Sequence, residues 1–231
     1  MALIGDKPLI LHTYEAAKKC PSIDELVVAT DHHEIADLIS QKGGRAIMTP
    51  SSLKTGSDRV AYVAESIDCD VVINLQGDEP FIKHQVLTAL TQPFSEDSSL
   101  LMSTVASPLQ WEEDYKNPDL VKVLCDKLGQ AIYFSRSPIP FLRQGVNKDI
   151  LPVYKHMGLY AFKKDFLLKY TKLEQTPLEQ AEALEQLRAL ENGVKIQVII
   201  SEHRSVEVNT PTELEEARAF WELQRNQNQL S

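Results

Sequence analysis

The chain has 231 residues, enough for one sizeable α/β domain with a continuous core. Its hydrophobic fraction of 43% and charged fraction of 25% are ordinary for a globular protein. The formal net charge of −9 argues against nucleic acid as a partner, because a phosphate backbone needs a basic face.

The sequence also carries indications of cellular location. No apolar stretch approaches the length of a membrane span, and the N-terminus has no signal-peptide pattern. The three cysteines are widely spaced, without metal-type spacing, and fit a reducing compartment. We therefore expect a cytoplasmic protein that is not inserted in a membrane.

In the first part of the chain, apolar runs alternate with amphipathic stretches, which predicts an α/β fold with a mostly parallel sheet flanked by helices. The predicted elements are, in chain order, strand 25–31, helix 33–42, strand 45–48, helix 57–66 and strand 70–75. The last of these is apolar enough to lie in the middle of a sheet.

The second half is richer in strands and turns. A hairpin is predicted from 121–125 and 130–134, followed by strand 158–162, helix 177–192, strand 194–200 and a helix from Pro211 onwards. Thr176 and Thr210 are the expected N-caps of the two helices, and Glu213 completes a capping box with Thr210. We predict a single domain over 1–231, with a β-rich insertion around 117–162 that serves as a lid or dimer surface.

The segment 74–80 (NLQGDEP) follows the most strand-like run of the chain. Ligands of open α/β sheets bind beyond the carboxyl ends of the strands, so a site is expected here. Gly77 lets the backbone approach a ligand, and Asp78 offers a hard oxygen to Mg²⁺. A tight turn that uses Gly, Asp and Pro for backbone reasons alone is the alternative.

Three other groups of polar residues are candidates for chemistry. Residues 54–59 (KTGSDR) enter a helix and could hold a base or phosphate, or form a serine N-cap with a solvated arginine. Arg136 lies at a strand end, where it could bind a carboxylate or remain on the surface. His156 precedes a strand, and Glu182, Glu185 and Gln186 share one face of the predicted helix 177–192, a pattern more typical of a solvated face.

Taken in order, these motifs closely resemble the 3-deoxy-D-manno-octulosonate (KDO) cytidylyltransferase family, the CMP-KDO synthetases of lipopolysaccharide assembly. The resemblance covers essentially the whole chain. Its segments are 28–31 (VATD), 55–59 (TGSDR), 74–80 (NLQGDEP), 117–118 with 121–123 (NP and VKV), 133–140 (YFSRSPIP), 156–160 (HMGLY), 184–188 (LEQLR) and 208–211 (VNTP).

The resemblance implies a Rossmann-like fold, a homodimer, Mg²⁺, and the reaction of CTP with KDO to give CMP-KDO and pyrophosphate. It further implies roles for individual residues. Catalytic roles fall to Asp78 and Gln76, nucleotide contacts to Asp31, Gly56, Ser57, Arg59 and Gln76, sugar contacts to Arg136, His156, Tyr160, Glu185 and Gln186, and metal ligation to Asp78 and Asn209.

Two departures from the family pattern stand out. The family normally opens with a strand and a phosphate-binding loop that ends in Pro-Gly-Lys-Pro, and this sequence matches the family only after that loop. We expect the sequence to be an N-terminally truncated form, which the reading frame upstream of Met1 would test. Asn209 replaces the usual second metal aspartate, so we expect weaker Mg²⁺ binding than in relatives with aspartate.

Two alternatives to a CMP-KDO synthetase remain open from the sequence. One is a cytidylyltransferase for another acidic sugar, such as an amino-KDO or a sialic acid. The other is a truncated, non-catalytic protein that still binds a nucleotide or a sugar.

Overall fold

The structure is a computed structural model that describes residues 1–144, 147–203 and 206–229. The strands are β1 (Leu3–Ile4), β2 (Lys7–Pro8), β3 (Val27–Thr30), β4 (Arg45–Met48), β5 (Val71–Asn74), β6 (Met102–Pro108), β7 (Lys122–Cys125), β8 (Ala131–Ser135), β9 (Val153–Lys163) and β10 (Ile196–Ile200). The helices are α1 (Leu9–Lys18), α2 (His33–Gln41), α3 (Gly56–Ala64), α4 (His84–Thr91), α5 (Pro93–Glu96), α6 (Lys164–Tyr170), α7 (Pro177–Glu182), α8 (Gln186–Glu191) and α9 (Pro211–Gln229), with a 3₁₀ helix at Lys148–Ile150.

The chain forms two compact units. The first unit comprises Met1–Lys54, Leu75–Thr88 and Arg204–Ser231, and the second comprises Thr55–Asn74 and Ala89–His203. The single domain predicted over 1–231 stays a prediction, because a division into compact units does not decide how they fold.

In the first unit, β3 and β4 form a parallel pair, and helix α2 connects them. Helix α2 turns its apolar face inward, so that Ile39 packs with Leu11 and Tyr14 of α1 in a buried cluster. The helix ends before Gly43, which has a φ of 71° that glycine adopts without strain. Strands β1 and β2 form a short antiparallel hairpin in the same unit.

The second unit is built on a six-stranded sheet, in which five strands have the order β10-β6-β9-β7-β8 and the sixth, β5, also pairs with β9. Strand β9 is its central element: β6 pairs with one edge of β9, while β7 pairs with residues 153–155 and β5 with residues 160–163. Strands β5, β6 and β7 run antiparallel to β9, β10 runs parallel to β6, and β8 runs antiparallel to β7. Four of the six strands therefore share one direction.

These strand directions, with the helices that flank the sheets, confirm the predicted α/β class. The segment 117–162 contributes β7, β8 and β9 to the sheet of the second unit. Its role as a lid or dimer surface stays a prediction. The strand and helix positions predicted for α2, β4, the β7–β8 hairpin and α9 are confirmed, with ends that shift by one or two residues.

The single helix predicted over 177–192 is wrong. The segment forms two short helices, α7 and α8, because Ala183 adopts a left-handed conformation with a φ of 53°. The shared helix face predicted for Glu182, Glu185 and Gln186 is therefore wrong as well. The break instead turns the backbone between Glu182 and Glu185.

In the part of the chain that the structure describes, no helix combines the length and the hydropathy needed to cross a membrane.

Candidate active site

The loop after β5 is held by hydrogen bonds that its main-chain carbonyls accept from other residues of the first unit. Thr13 of α1 donates its hydroxyl to the carbonyl of Gly77 at 3.0 Å. A Cβ atom at Gly77 would come within 2.9 Å of Ile10 Cδ1, so helix α1 approaches the loop closely. The amide of Val208 donates to the carbonyl of Asp78 at 3.1 Å and joins the segment before α9 to the loop. The backbone on both sides of the Asp78 side chain is thereby held in place.

The Asp78 carboxylate has an oxygen without a partner. Oδ1 is buried and makes no hydrogen bond within the described residues. Burial raises the pKa of Asp78, a main-chain hydrogen bond lowers it, and the negative charge of Glu213 raises it further. A buried carboxylate oxygen near a second negative charge is a position that a cation would stabilise.

The N-terminus of α9 lies beside this carboxylate. Glu213 accepts hydrogen bonds through Oε2 from the amides of Asn209, at 2.7 Å, and Thr210, at 2.8 Å. The amide of Glu213 donates to the Thr210 hydroxyl at 3.2 Å, so the predicted capping box is confirmed. The side chain of Asn209 is exposed, and its amide nitrogen lies 3.5 Å from Glu207 Oε2.

These residues fit a Mg²⁺ ion whose remaining ligands come from phosphate oxygens and water. Within 1–144, 147–203 and 206–229, no three His, Cys, Asp or Glu side chains converge as a metal cluster. Mg²⁺ does not need such a cage, because it usually takes one or two protein carboxylates together with phosphate oxygens and water. The unpartnered Oδ1 of Asp78 matches that requirement.

An aromatic cluster packs α9 against the segment that follows Asp78. The Phe81 and Phe220 rings meet edge to face, with centroids 4.9 Å apart. Trp221 lies over Gly5, where a Cβ atom would come within 2.6 Å of the indole ring. These contacts fix the position of α9, and with it Asn209 and Glu213, relative to the Asp78 loop.

Two other predicted nucleotide residues lie in the first unit. Asp31 directly follows β3 and is half-buried, with Oδ1 3.8 Å from His32 Nε2. Gln76 is half-buried two residues before Asp78. Both follow the carboxyl ends of strands, as the sequence predicts for ligand-binding positions.

The remaining nucleotide residues begin helix α3 in the second unit. The helix is capped by Thr55, whose hydroxyl accepts from the Asp58 amide at 3.0 Å, while Asp58 accepts from the Thr55 amide at 3.2 Å. The serine cap considered from the sequence is therefore wrong, and Ser57 is free for another role. Gly56 is the first residue of the helix, and Arg59 is half-buried in its first turn.

Ser57 is buried in a hydrogen-bond network that joins three distant segments. Its hydroxyl donates to Glu185 Oε1 at 2.6 Å and accepts from Asn74 Nδ2 at 3.1 Å. Tyr170 donates its hydroxyl to the main-chain carbonyl of Glu185 at 2.5 Å. A residue assigned to the nucleotide and a residue assigned to the sugar are thus directly bonded within the second unit.

Glu185 is perturbed by this position. Burial raises its pKa above the usual range, while the Ser57 hydrogen bond and the Arg188 charge act in the opposite direction. Its neighbour Gln186 is 2% exposed, and its Nε2 atom finds no acceptor among the described residues. A buried amide with an unused donor is a group that a ligand acceptor would satisfy.

Arg136 is held by hydrogen bonds to neighbouring segments. Within the described part of the chain, its guanidinium bonds main-chain carbonyls and no carboxylate. Its Nε donates to the Glu182 carbonyl at 3.1 Å, and its amide donates to Glu182 Oε2 at 2.9 Å. The Glu182 carboxylate also accepts from the Ser135 hydroxyl at 2.6 Å. A guanidinium bonded to neutral carbonyls retains its charge for an acidic ligand.

His156 is a buried, neutral histidine. Its Nε2 lies 2.9 Å from the hydroxyl of Thr104, which also contacts the Leu159 carbonyl at 2.8 Å. This hydroxyl satisfies a β-bulge, because Thr104 pairs with Tyr160 and the next residue of β6 pairs with Met157. Burial lowers the pKa of His156 to about 3, so the ring is neutral near neutral pH.

Tyr160 follows the bulge and lies beside His156, with ring centroids 5.5 Å apart. It is 5% exposed, and in the sheet it pairs with Asn74 of β5, whose side chain binds Ser57. The second unit therefore brings His156 and Tyr160 together on β9 and joins Ser57 to Glu185. Asn74 links the two groups, because it pairs with Tyr160 in the sheet and donates to Ser57.

Four residues that organise this region had no site role assigned from the sequence. Asn74 and Lys122 lie in segments that carry the family resemblance, Glu182 was named only as part of a helix face, and Thr104 was not singled out. Asn74 and Lys122 are polar residues within the apolar strands predicted over 70–75 and 121–125, which is a signal that the sequence does carry. The partnership of Thr104 depends on the bulge, which Gly158 marks in the sequence, because an isolated glycine inside a strand is a bulge signal. The partnership of Glu182 depends on the helix break at Ala183, which no glycine or proline marks.

Comparisons with known proteins agree with this architecture. A family model described as Cytidylyltransferase matches residues 1–196. A 3-deoxy-manno-octulosonate cytidylyltransferase of Acaryochloris marina is 46% identical over 221 residues, covering 95% of this chain and 89% of the relative. One from Trichlorobacter lovleyi is 42% identical over 226 residues, covering 94% and 90%.

Two solved structures are also similar. A CMP:2-keto-3-deoxy-manno-octonic acid synthetase complexed with CTP is 36% identical, with a TM-score of 0.90 over 96% of this chain and 90% of that chain. A 4-diphosphocytidyl-2C-methyl-D-erythritol synthase from Anaerococcus prevotii is 16% identical, with a TM-score of 0.64 over 95% and 88%, and shares the fold alone. The chain thus belongs to the cytidylyltransferase family, among the 3-deoxy-manno-octulosonate cytidylyltransferases.

Proposed function

We propose that this protein transfers CMP from CTP to the acidic sugar KDO, giving CMP-KDO and pyrophosphate. The observation that carries the proposal is the likeness, with a TM-score of 0.90 and 36% identity, to a CMP-KDO synthetase complexed with CTP. The buried, unpartnered polar atoms at Asp78 and Gln186 support it, because they are unused groups suited to a metal-bound polyanion and a sugar.

The reaction needs no nucleophile from the protein. The anomeric hydroxyl of the sugar attacks the α-phosphorus of CTP, a P–O bond forms, and the bond to pyrophosphate breaks. Catalysis then depends on positioning and on charge neutralisation. In this proposal Asp31, Gln76, Gly56, Ser57 and Arg59 position the nucleotide.

A second set of residues binds the sugar. Arg136 donates from its guanidinium to the sugar carboxylate, and the opposite charges strengthen this hydrogen bond. Gln186 donates its unused amide N–H to a sugar oxygen, and Tyr160 and Glu185 bind the hydroxyls. His156 supports the shape of this pocket as a neutral ring, since its pKa of about 3 keeps it uncharged.

Mg²⁺ is part of the proposal, with Asp78 and Asn209 as the residues that would hold it. When bound, the ion neutralises phosphate oxygens and offsets the repulsion between an acidic sugar and a triphosphate. Asp78 supplies the only charged ligand in this assignment. Asn209 contributes a neutral carbonyl oxygen, so we propose weaker Mg²⁺ binding than an aspartate there would give.

We further propose that the protein is a cytoplasmic homodimer. Four apolar side chains of the segment 117–162 are strongly exposed, which supports contact with a second copy. They are Leu128 at 72%, Ile132 at 59%, Phe141 at 87% and Ile150 at 76% exposure. Light scattering on the purified protein would give the mass of two chains if the proposal holds and of one chain if it does not.

The test of the reaction is a substrate screen. The protein is incubated with CTP and Mg²⁺, and pyrophosphate release is measured with KDO, 8-amino-KDO, N-acetylneuraminic acid or no sugar. We expect turnover with KDO at least tenfold faster than with the other acceptors. A preference for the amino sugar or the sialic acid would assign another acidic substrate. Binding of CTP without turnover on any sugar would identify a non-catalytic protein.

A further inference from the structure

Lys122 is a fully buried lysine, with an exposure of 0%. Its ammonium donates to three main-chain carbonyls: Asn117 at 2.7 Å, Leu120 at 2.5 Å and Arg136 at 2.6 Å. Burial of a charge is costly, and an apolar side chain of the same length would fill the volume without that cost. The position therefore requires an explanation beyond packing.

The pattern of acceptors gives that explanation. Two of the three carbonyls, those of Asn117 and Leu120, lie on either side of Pro118 and Asp119 in the sequence. The carbonyls of Pro118 and Asp119 each lie 3.4 Å from Nη1 of Arg136. The third carbonyl belongs to Arg136 itself. Lys122 therefore fixes both the backbone of Arg136 and the loop that binds its guanidinium.

Glu182 holds Arg136 from a second segment. Its carboxylate accepts from the Arg136 amide, and its carbonyl accepts from the Arg136 Nε. The guanidinium is thus held by two segments, the 117–120 loop and the end of α7. Only the loop depends on Lys122, so the two contributions can be separated by mutation.

We propose that Lys122 is a positioning residue for Arg136, which orders the 117–120 loop so that the guanidinium is set for the sugar carboxylate. The inference rests on the proposed role of Arg136 in binding the acidic sugar. It concerns a buried residue that contacts neither substrate directly, since all three of its protons are bonded to carbonyls.

The test is a double-mutant cycle with Lys122→Met and Arg136→Ala, read as the KM for KDO and the KM for CTP. We expect Lys122→Met to raise the KM for KDO about tenfold and to leave the KM for CTP within twofold. In the Arg136→Ala background the same substitution should have no further effect on the KM for KDO, because coupled residues are not additive. Lys164→Met is the matched control, since Lys164 bonds the Ile67 carbonyl away from Arg136.

The outcomes separate the two ideas. An unchanged KM for KDO in Arg136→Ala overturns both the role of Arg136 and the inference. A raised KM in Arg136→Ala, with Lys122→Met unchanged or fully additive, overturns the inference alone. Lys122→Gln, which keeps two donors, is measured beside Lys122→Met with circular dichroism. If neither variant folds, Lys122 serves the fold as a whole and the positioning role is overturned.

Discussion

The most informative perturbation of the second unit is Ser57→Ala. The substitution removes the hydrogen bond to Glu185 at 2.6 Å and the bond from Asn74 at 3.1 Å. Ser57 and Asn74 are each 1% exposed, so water does not replace the lost hydroxyl. A hydrogen bond to a charged group contributes about 1.5–3 kcal/mol, and one between neutral groups contributes about 0.5–1.5 kcal/mol. We expect a loss of about 2–4 kcal/mol in the free energy of unfolding.

The loss should also depend on pH. Burial raises the pKa of Glu185, and the Ser57 hydrogen bond lowers it, so the variant has a still higher pKa. A carboxyl with a raised folded-state pKa contributes stability that is fully present below its unfolded pKa and is lost as pH rises through the folded value. The deficit of Ser57→Ala should therefore shrink as the pH is lowered, because a neutral carboxyl needs the hydroxyl less.

Urea denaturation at a series of pH values measures both effects. Ser66→Ala is the matched control, because Ser66 is an exposed residue of the same region whose hydroxyl donates to the Val63 carbonyl at 3.0 Å. We expect it to change stability by less than about 0.5 kcal/mol. A loss below about 1 kcal/mol in Ser57→Ala, or a deficit that grows in acid, would refute the buried network.

Three further predictions concern other parts of the chain. Gly5→Ala should destabilise the protein by about 2–4 kcal/mol, because Gly5 has a φ of 62° and a Cβ atom there would come within 2.6 Å of Trp221. Gly43→Ala is the control: Gly43 has a φ of 71° but open space around it, so the loss should be only about 1–2 kcal/mol. Urea denaturation measures both losses, and equal losses would contradict the Trp221 contact. The His156 ring should show no NMR titration between pH 5 and 8, and its lowered pKa of about 3 should reduce stability as pH falls below the unfolded value; a titration midpoint near 6.5 would contradict its burial. Asn209→Asp should lower the half-saturating Mg²⁺ concentration about three- to tenfold in turnover assays, because it adds a charged ligand; an unchanged midpoint would show that position 209 does not bind the metal.

Much of the fold can be predicted from local signals in the sequence. Helix α2 has apolar spacing and a glycine end, and α9 has the Thr210 and Glu213 capping box, so both could be placed before the structure was known. These elements are specified by residues a few positions apart. The prediction of a single helix over 177–192 was wrong because Ala183 adopts a left-handed conformation, and no glycine in the sequence indicates it.

The sequence predicted which residues belong to the candidate site, but not which residues they contact. The motif residues were identified through family resemblance, whereas their hydrogen-bond partners could not be predicted from spacing along the chain. Ser57 and Glu185 are 128 positions apart, and the Thr104 hydroxyl meets His156 only because of a bulge in β9. Such contacts depend on strand register and helix ends, which are tertiary properties.

The most direct test of the proposed function is ³¹P NMR of CTP, KDO and Mg²⁺ with the protein and with Asp78→Asn. The account predicts a new phosphodiester signal from CMP-KDO, in equal amount to pyrophosphate, and its loss by at least a hundredfold in the variant, whose carboxylate is the one charged metal ligand assigned. Absence of the phosphodiester with the unmodified protein would contradict the transfer reaction. Near-normal turnover in Asp78→Asn would contradict the metal site.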